Sequence, residues 1–419
     1  MPAGSGPEDA FTENEENLPA KRENMETSPS ALYQAQPALE YGHTYGVQQS
    51  PYHARAHPMA SPWLTLALLP LLAGSAAAFG CIRPGLRSSS SFIHAPLGRA
   101  RRMARLQVPL AAQAVDESFA WTWDGTDLSC ALTRRGIGAG TGKRVLLLPS
   151  MSSISTKDEM AALSTILAEN HFETAAPDWP GFGTGQNKPN VAWTPQAMAA
   201  WLDYVLQKVV PNACMIVAAG HAAGYVLRHF ENCPEEAPRL VLVAPTWRGP
   251  LPTMMRGKRP EWLKSVRAAV DSSVVGPVLY KMNLNELMVH KMSEGHVYSE
   301  PGFLSEGRMA QKRPVFQSAG ARFASVRFVT GGLDPFESSE GAGAAAAALG
   351  QLPECPMQLI WGDETPHKSK AAMAQLAEAA GVKPTILQRG KLGLHEEFSS
   401  EVAKAILGDF KRHSRRSED

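Results

Sequence analysis

The chain has 419 residues, of which 41 are Lys or Arg and 40 are Asp or Glu, for a net charge of +1. That length exceeds one ordinary domain and is ample for a large core. The charge balance hides a split: residues 1–40 carry 2 basic and 8 acidic side chains, and residues 41–115 carry 7 Arg and no acid. Residues 116–419 carry 32 of each sign. Such a neutral body lacks the concentrated basic face that nucleic-acid binding needs. Hydrophobic residues make up 44% of the chain, too many for wholesale disorder. The cysteines Cys81, Cys130, Cys214, Cys233 and Cys355 are widely spaced, odd in number and form no C-x-x-C pair. This argues against a disulfide scaffold and against a zinc site.

Residues 1–58 are polar, without hydrophobic periodicity, and read as a disordered extension. Residues 59–115 read as a leader. From Trp63 to Phe79 a short apolar run contains Pro70 and ends in Gly74, Ser75, Ala76, Ala77 and Ala78. That is an h-region followed by a small-residue cleavage site, short of the ~20 apolar residues of a membrane span. Arg83, Arg87, Arg99, Arg101, Arg102 and Arg105 follow, with a serine run at 88–91 and no acid, a transit-peptide composition. The combination resembles the bipartite leader of plastid proteins in algae with secondary plastids, and Phe79 resembles the aromatic at their cleavage point. The resemblance implies a plastid location, with the secretory pathway as the alternative. Because a signal peptide belongs at an N-terminus, translation is expected to start at Met59. An uncleaved signal anchor is the other reading.

From residue 116 the pattern alternates strands and helices. Residues 118–125 and 127–136 read as two strands joined by a turn at Asp124-Gly125. RVLLLP (144–149) is a continuous apolar run, as for a strand buried on both faces. The predicted elements continue as a helix at 157–170, a strand at 172–177 and a helix at 195–209 with Pro195 in its first turn. A strand at 214–220, a helix at 222–232 and a strand at 239–245 follow. Residues 247–340 are helix-like and carry Met254, Met255, Met282, Met288 and Met292. The alternation resumes with strands at 356–362 and 384–390 and helices at 368–380 and 397–412. The alanine-rich stretch 341–350 favours helix. Repeated strand–helix units imply an α/β fold with a mostly parallel sheet flanked by helices. The expected organisation is a core in two parts, 116–246 and 341–412, a helical cap at 247–340 after strand six, and a tail at 413–419. The cap would cover the carboxyl ends of the strands, where such sheets bind ligands.

Three segments resemble the α/β-hydrolase superfamily. DWPGFGTG (178–185) looks like the family's turn after the fourth strand, GHAAG (220–224) occupies the place of its nucleophile elbow G-x-S-x-G, and GLHEEF (393–398) looks like the loop carrying its histidine. LPSMSSIST, GHAAG and LGLHEE together resemble cyanobacterial and plastid members. The resemblance implies an eight-stranded α/β-hydrolase sheet with the cap inserted after strand six. It also places Ala222 at the nucleophile position, where a methyl group has no lone pair with which to attack a carbonyl. A serine acyl-enzyme at that position is therefore excluded.

The remaining candidates follow from the same alignment. His395 matches the family histidine and is the expected general base, or a histidine retained by packing. Thr365 stands where the family puts its acid, so Asp363 or its neighbour Glu364 is the first candidate for that partner and Asp334 the second. His221 is expected to pack behind the elbow, and Asp178 to stabilise its turn. The loop 149–156 stands where the family builds half of its oxyanion hole, with Pro149-Ser150 in place of the usual His-Gly start. Backbone amides at Ser150, Met151 and Ala223 are candidates for binding an oxyanion or carbonyl, and a displaced serine in this loop is a weaker alternative. The cap methionines suit either an apolar pocket or simple packing.

No pattern identifies a metal, nucleotide or flavin, so no cofactor is expected. GIGAG (136–140) leads into a strand and not a helix, so it fails as a phosphate cradle. The expected partner is an apolar or carbonyl-bearing small molecule, bound without acyl-enzyme chemistry. The alternative is a non-covalent hydrolase, lyase or cofactor-free oxygenase using His395. No nucleic acid and no stable membrane span are expected, and a protein partner is undetermined.

Overall fold

The computed structural model describes residues 113–138, 141–184, 191, 193–352 and 357–416. The expected extension and nearly all of the expected leader lie outside these residues. The first two strands, β1 (Val115–Trp123) and β2 (Thr126–Arg135), form an antiparallel hairpin in which Trp123 faces Thr126. Asp124 and Gly125 both adopt positive φ, 48° and 69°, the turn geometry that matches strand twist in a two-residue hairpin.

The apolar runs supply the rest of the sheet. β3 (Arg144–Leu148), β4 (Glu173–Pro177), β5 (Met215–Ala219), β6 (Arg239–Val243), β7 (Met357–Gly362) and β8 (Thr385–Leu387) follow in chain order. The eight strands lie in the order β1-β2-β4-β3-β5-β6-β7-β8. Pairs from β3 onward are parallel, while β1–β2 and β2–β4 are antiparallel. Every residue of β5, β6 and β7 is buried, which is why these segments read as unbroken apolar runs rather than alternating ones.

Helices α1 (Ala161–Glu169), α2 (Pro195–Tyr204) and α3 (Ala222–Phe230) connect the early strands. A 3-10 turn, Lys157–Met160, precedes α1, and α2 widens into a π-type turn at Val205–Val209. Between β6 and β7 come α4 (Pro250–Met254), α5 (Trp262–Asp271), α6 (Gly276–Asn283), α7 (Glu286–His296), α8 (Glu306–Gln317), α9 (Ala321–Val329) and α10 (Ser339–Gly350). The alanine-rich α10 packs on α3 and on α11 (His367–Ala380), so it belongs to the sheet's flanking layer. The earlier helices carry a small apolar cluster of their own, built from Val289, Tyr298, Leu304, Met309 and Phe316. The chain ends with a one-turn helix, α12 (Leu394–Glu397), and α13 (Ser399–Arg416). β8 is shorter than the predicted strand because the chain turns at Gly390, where φ is 102°. No helix of the described residues is long and apolar enough to cross a membrane.

Candidate functional site

β3 runs into the loop 149–156 at the carboxyl edge of the sheet, and Trp179 fixes the start of that loop by donating its indole N–H to the Pro149 carbonyl at 3.1 Å. Thr156 then caps the 3-10 turn, its hydroxyl accepting the Asp158 N–H at 3.0 Å. The turn directs Glu159 inward, where it is 5% exposed. Oε2 of Glu159 accepts the Ser150 hydroxyl at 3.0 Å and faces Nε2 of His395 at 3.3 Å. Ser150 Oγ also lies 3.0 Å from Ser155 Oγ, which lies 2.7 Å from Ser152 Oγ. His395 sits in α12, 1% exposed, and its Nδ1 has no partner among the described residues.

The helices inserted between β6 and β7 close this cluster. Lys312 of α8 places its ammonium 3.4 Å from Glu159 and 3.1 Å from Glu396. The Tyr298 hydroxyl donates to Glu396 at 2.6 Å. The Glu397 carboxylate accepts the backbone N–H groups of Ser299 and Glu300, and Gly393 N–H donates to the Val297 carbonyl at 2.8 Å. The segment carrying His395 is thereby stapled to residues 297–300. Burial alone would raise the Glu159 carboxyl, but Lys312 and His395 hold it below the ordinary carboxylate range. Burial likewise works against a charged Lys312, yet Tyr298, Glu396 and Glu159 hold its ammonium well above the usual lysine range.

The residue with left-handed backbone at the end of β5 is Gly220, with φ of 53°. Ala222, the expected nucleophile position, opens α3 and is fully buried. The left-handed turn at Gly220 has a simple cause. The β5 ladder ends with Ala219 opposite Val243, Gly220 N–H still donates to the Val243 carbonyl at 2.9 Å, and the chain must turn at once to enter α3. The small-x-turn-x-small frame is therefore Ala218, Gly220 and Ala222. A side chain on Gly220 would start 2.8 Å from Ser150 Cβ, so the Ser150 side chain occupies the space in front of the turn. The Ala223 N–H, expected to face an oxyanion, donates back to the Gly220 carbonyl at 3.3 Å. Met151 is 1% exposed, and its side chain lies in the main core.

The acid assignment also changes. Asp363 is exposed and paired with Lys370, away from His395. Asp334 serves the other buried histidine: it lies 3.7 Å from His221 and 2.7 Å from Arg259, and accepts Gly249 N–H at 2.7 Å. His221 Nε2 lies 3.0 Å from the Leu333 carbonyl, which also accepts the Tyr225 hydroxyl at 2.6 Å. Burial lowers the His221 imidazole and raises the Asp334 carboxyl, with Arg259 and His221 opposing the latter. Asp178 accepts Lys157 N–H and both the N–H and hydroxyl of Thr184, the bonding of a turn residue.

The carboxylate facing His395 is thus Glu159, which the sequence reading treated only as part of a helix. Its one local signal was the spacing Thr156-x-x-Glu159, a capping-box pattern whose glutamate turns inward instead of back onto the cap. Lys312, Glu396 and Tyr298 gave no such signal. Among the described residues no group of three or more His, Cys, Asp or Glu is placed to hold a metal.

No family model and no curated protein matches the chain. Solved structures do. An esterase from Thermogutta terrifontis aligns with a TM-score of 0.51 at 17% identity over 72% of this chain and 98% of its own. A haloalkane dehalogenase from Bradyrhizobium elkani aligns with 0.53 at 17%, over 71% and 97%. A bromoperoxidase from Bacillus anthracis aligns with 0.52 at 14%, over 70% and 100%. At these identities the likeness concerns architecture alone, and with the strand order above it shows that the chain has the α/β-hydrolase fold.

Proposed function

We propose that this α/β-hydrolase-fold protein works without an acyl-enzyme and holds an apolar or carbonyl-bearing small molecule at the cluster around Ser150, Glu159 and His395. The observation that carries this reading is the turn after β5. Its left-handed residue, Gly220, has no side chain at all, and the neighbouring Ala222 offers only a methyl group. Ser150 stands in front of the turn, but its hydroxyl is bonded to Glu159. Among the described residues that hydroxyl bonds to Glu159 and Ser155 and not to an imidazole, so it lacks the adjacent base that activates a serine nucleophile. Backbone amides of the loop at Ser150 and Met151 remain the donors proposed for a ligand carbonyl.

A second reading is favoured by His395 pairing a buried Nδ1 that has no partner among the described residues with an Nε2 that faces a carboxylate; His221 Nδ1 is also without a partner there, but its Nε2 is held by a backbone carbonyl. With Nε2 turned to Glu159, Nδ1 is the atom that would take a proton in a non-covalent hydrolase, lyase or cofactor-free oxygenase. The leader composition supports action in the plastid, and N-terminal sequencing of the mature protein tests that placement. For the site itself, the purified full chain is treated with a fluorophosphonate and assayed against short acyl esters. The expected result is no labelled serine. Labelling at Ser150 overturns both readings. Turnover without labelling that is abolished in His395→Ala selects the second, and bound small molecule recovered from the protein without turnover selects the first.

A further inference from the structure

The exposed large apolar side chains concentrate in one stretch, where Val274, Val275, Val278, Met282, Leu287 and Met292 all face solvent. Val274 and Leu287 are each 79% exposed. Val275, Val278 and Met282 recur at the three- and four-residue spacing of one helix face, along the start and length of α6. Such a stripe normally faces a core. Here it faces outward, on a helix whose buried contacts are few: within α6 only Gly276 is buried.

The charges in this stretch are one-sided. Lys281 and Lys291 are exposed and form no ion pair among the described residues. The one acid between 274 and 292 is Glu286, and Arg313 occupies both of its oxygens, at 2.5 and 3.0 Å. His290 lies 3.3 Å from Glu294. The two helices therefore present exposed apolar side chains beside Lys281 and Lys291, with Glu294 the further exposed acid of α7.

We infer that residues 274–292 form a peripheral docking face for an anionic lipid membrane, independently of how the His395 cluster is read. The apolar side chains enter the boundary between headgroups and acyl chains, and Lys281 and Lys291 reach the lipid phosphates. Nothing in this requires a spanning segment.

The experiment uses the full chain with vesicles of phosphatidylcholine alone or of phosphatidylcholine with phosphatidylglycerol. Because the apolar run at Trp63–Phe79 can itself bind lipid, the readout is local. Backbone hydrogen exchange of residues 272–292 is expected to slow on vesicles containing phosphatidylglycerol. In V278D/M282D/L287D that protection disappears. In K281E/K291E protection on anionic vesicles weakens by about tenfold or more in lipid titrations, with little change on neutral ones. All five positions are exposed, so the variants retain the fold, which unchanged exchange elsewhere verifies. Vesicle binding that leaves exchange at 272–292 unaltered overturns the proposal, as does absence of protection on either vesicle. Protection that appears with rising protein concentration and no lipid overturns it in favour of self-association.

Discussion

Two buried histidines, His221 next to the turn at Gly220 and His395 in α12, each face a carboxylate, yet the two pairs are finished differently. His221 is held by a backbone carbonyl, and its acid, Asp334, is satisfied by a backbone amide and a guanidinium. His395 has no backbone partner for its facing nitrogen. Its acid, Glu159, is shared among a serine hydroxyl, the imidazole and an ammonium, all of them side chains. A pair tied to backbone is fixed by the fold. A pair tied to side chains can exchange partners when a ligand or a moving helix intrudes. This difference separates a packing histidine from a candidate working one more clearly than burial does, since both are nearly inaccessible.

The largest expected effect breaks the side-chain pair. Lys312→Met leaves Glu159 and Glu396 buried without their ammonium and is expected to cost about 3–5 kcal/mol in urea unfolding. Adding Glu159→Gln and Glu396→Gln to that variant should recover most of the loss. A Lys312→Met protein as stable as the parent would show that the cluster is not closed by this lysine. Asp334→Ala should cost somewhat less, about 2–3 kcal/mol, because Gly249 N–H and His221 lose their partner while Arg259 retains partial access to water. Gly220→Ala should cost about 1–2 kcal/mol for the left-handed angle, with Ser150 crowded as well. If it proves neutral, the turn can relax and Gly220 is not its fixed point.

Acid titration separates the pairs further. The His221 imidazole is lowered from 6.5 by burial, so the unfolded chain binds its proton first. Its stabilising contribution is complete above 6.5 and is lost as pH falls through the lower folded value. Glu159 is lowered from 4.5 by Lys312 and His395 against burial; its contribution is complete above 4.5 and fades at lower pH still. Unfolding midpoints measured across this range should show the upper loss vanish in His221→Gln while the lower one persists. The smallest effect belongs to Asp363→Asn, an exposed site, where a change within about 0.5 kcal/mol is expected and the resonances of His395 should not move.

Much of the architecture was legible because the buried strands leave a one-dimensional trace. RVLLLP became β3, and PMQLIWG became β7, since strands covered on both faces must be apolar throughout. The segment expected to be a loop after the last strand is in part a one-turn helix, which carries His395. GHAAG and AAGHA satisfy the same small-residue spacing, and the left-handed residue is Gly220. Which glycine takes the positive φ depends on where the β5 ladder stops. Glu159 was invisible for a different reason: 236 positions separate it from His395, and its side-chain direction is set by the 3-10 turn.

By itself, then, the order of residues determined the sheet and the helices inserted into it, because apolar burial is written locally. Only the tertiary structure decided which carboxylate serves which histidine and that Lys312 is buried between two glutamates. α8 reads as a polar helix, and its lysine is desolvated only when that helix closes over Glu159 and Glu396, 153 and 84 residues away in the chain, separations over which loop-closure entropy grows only slowly.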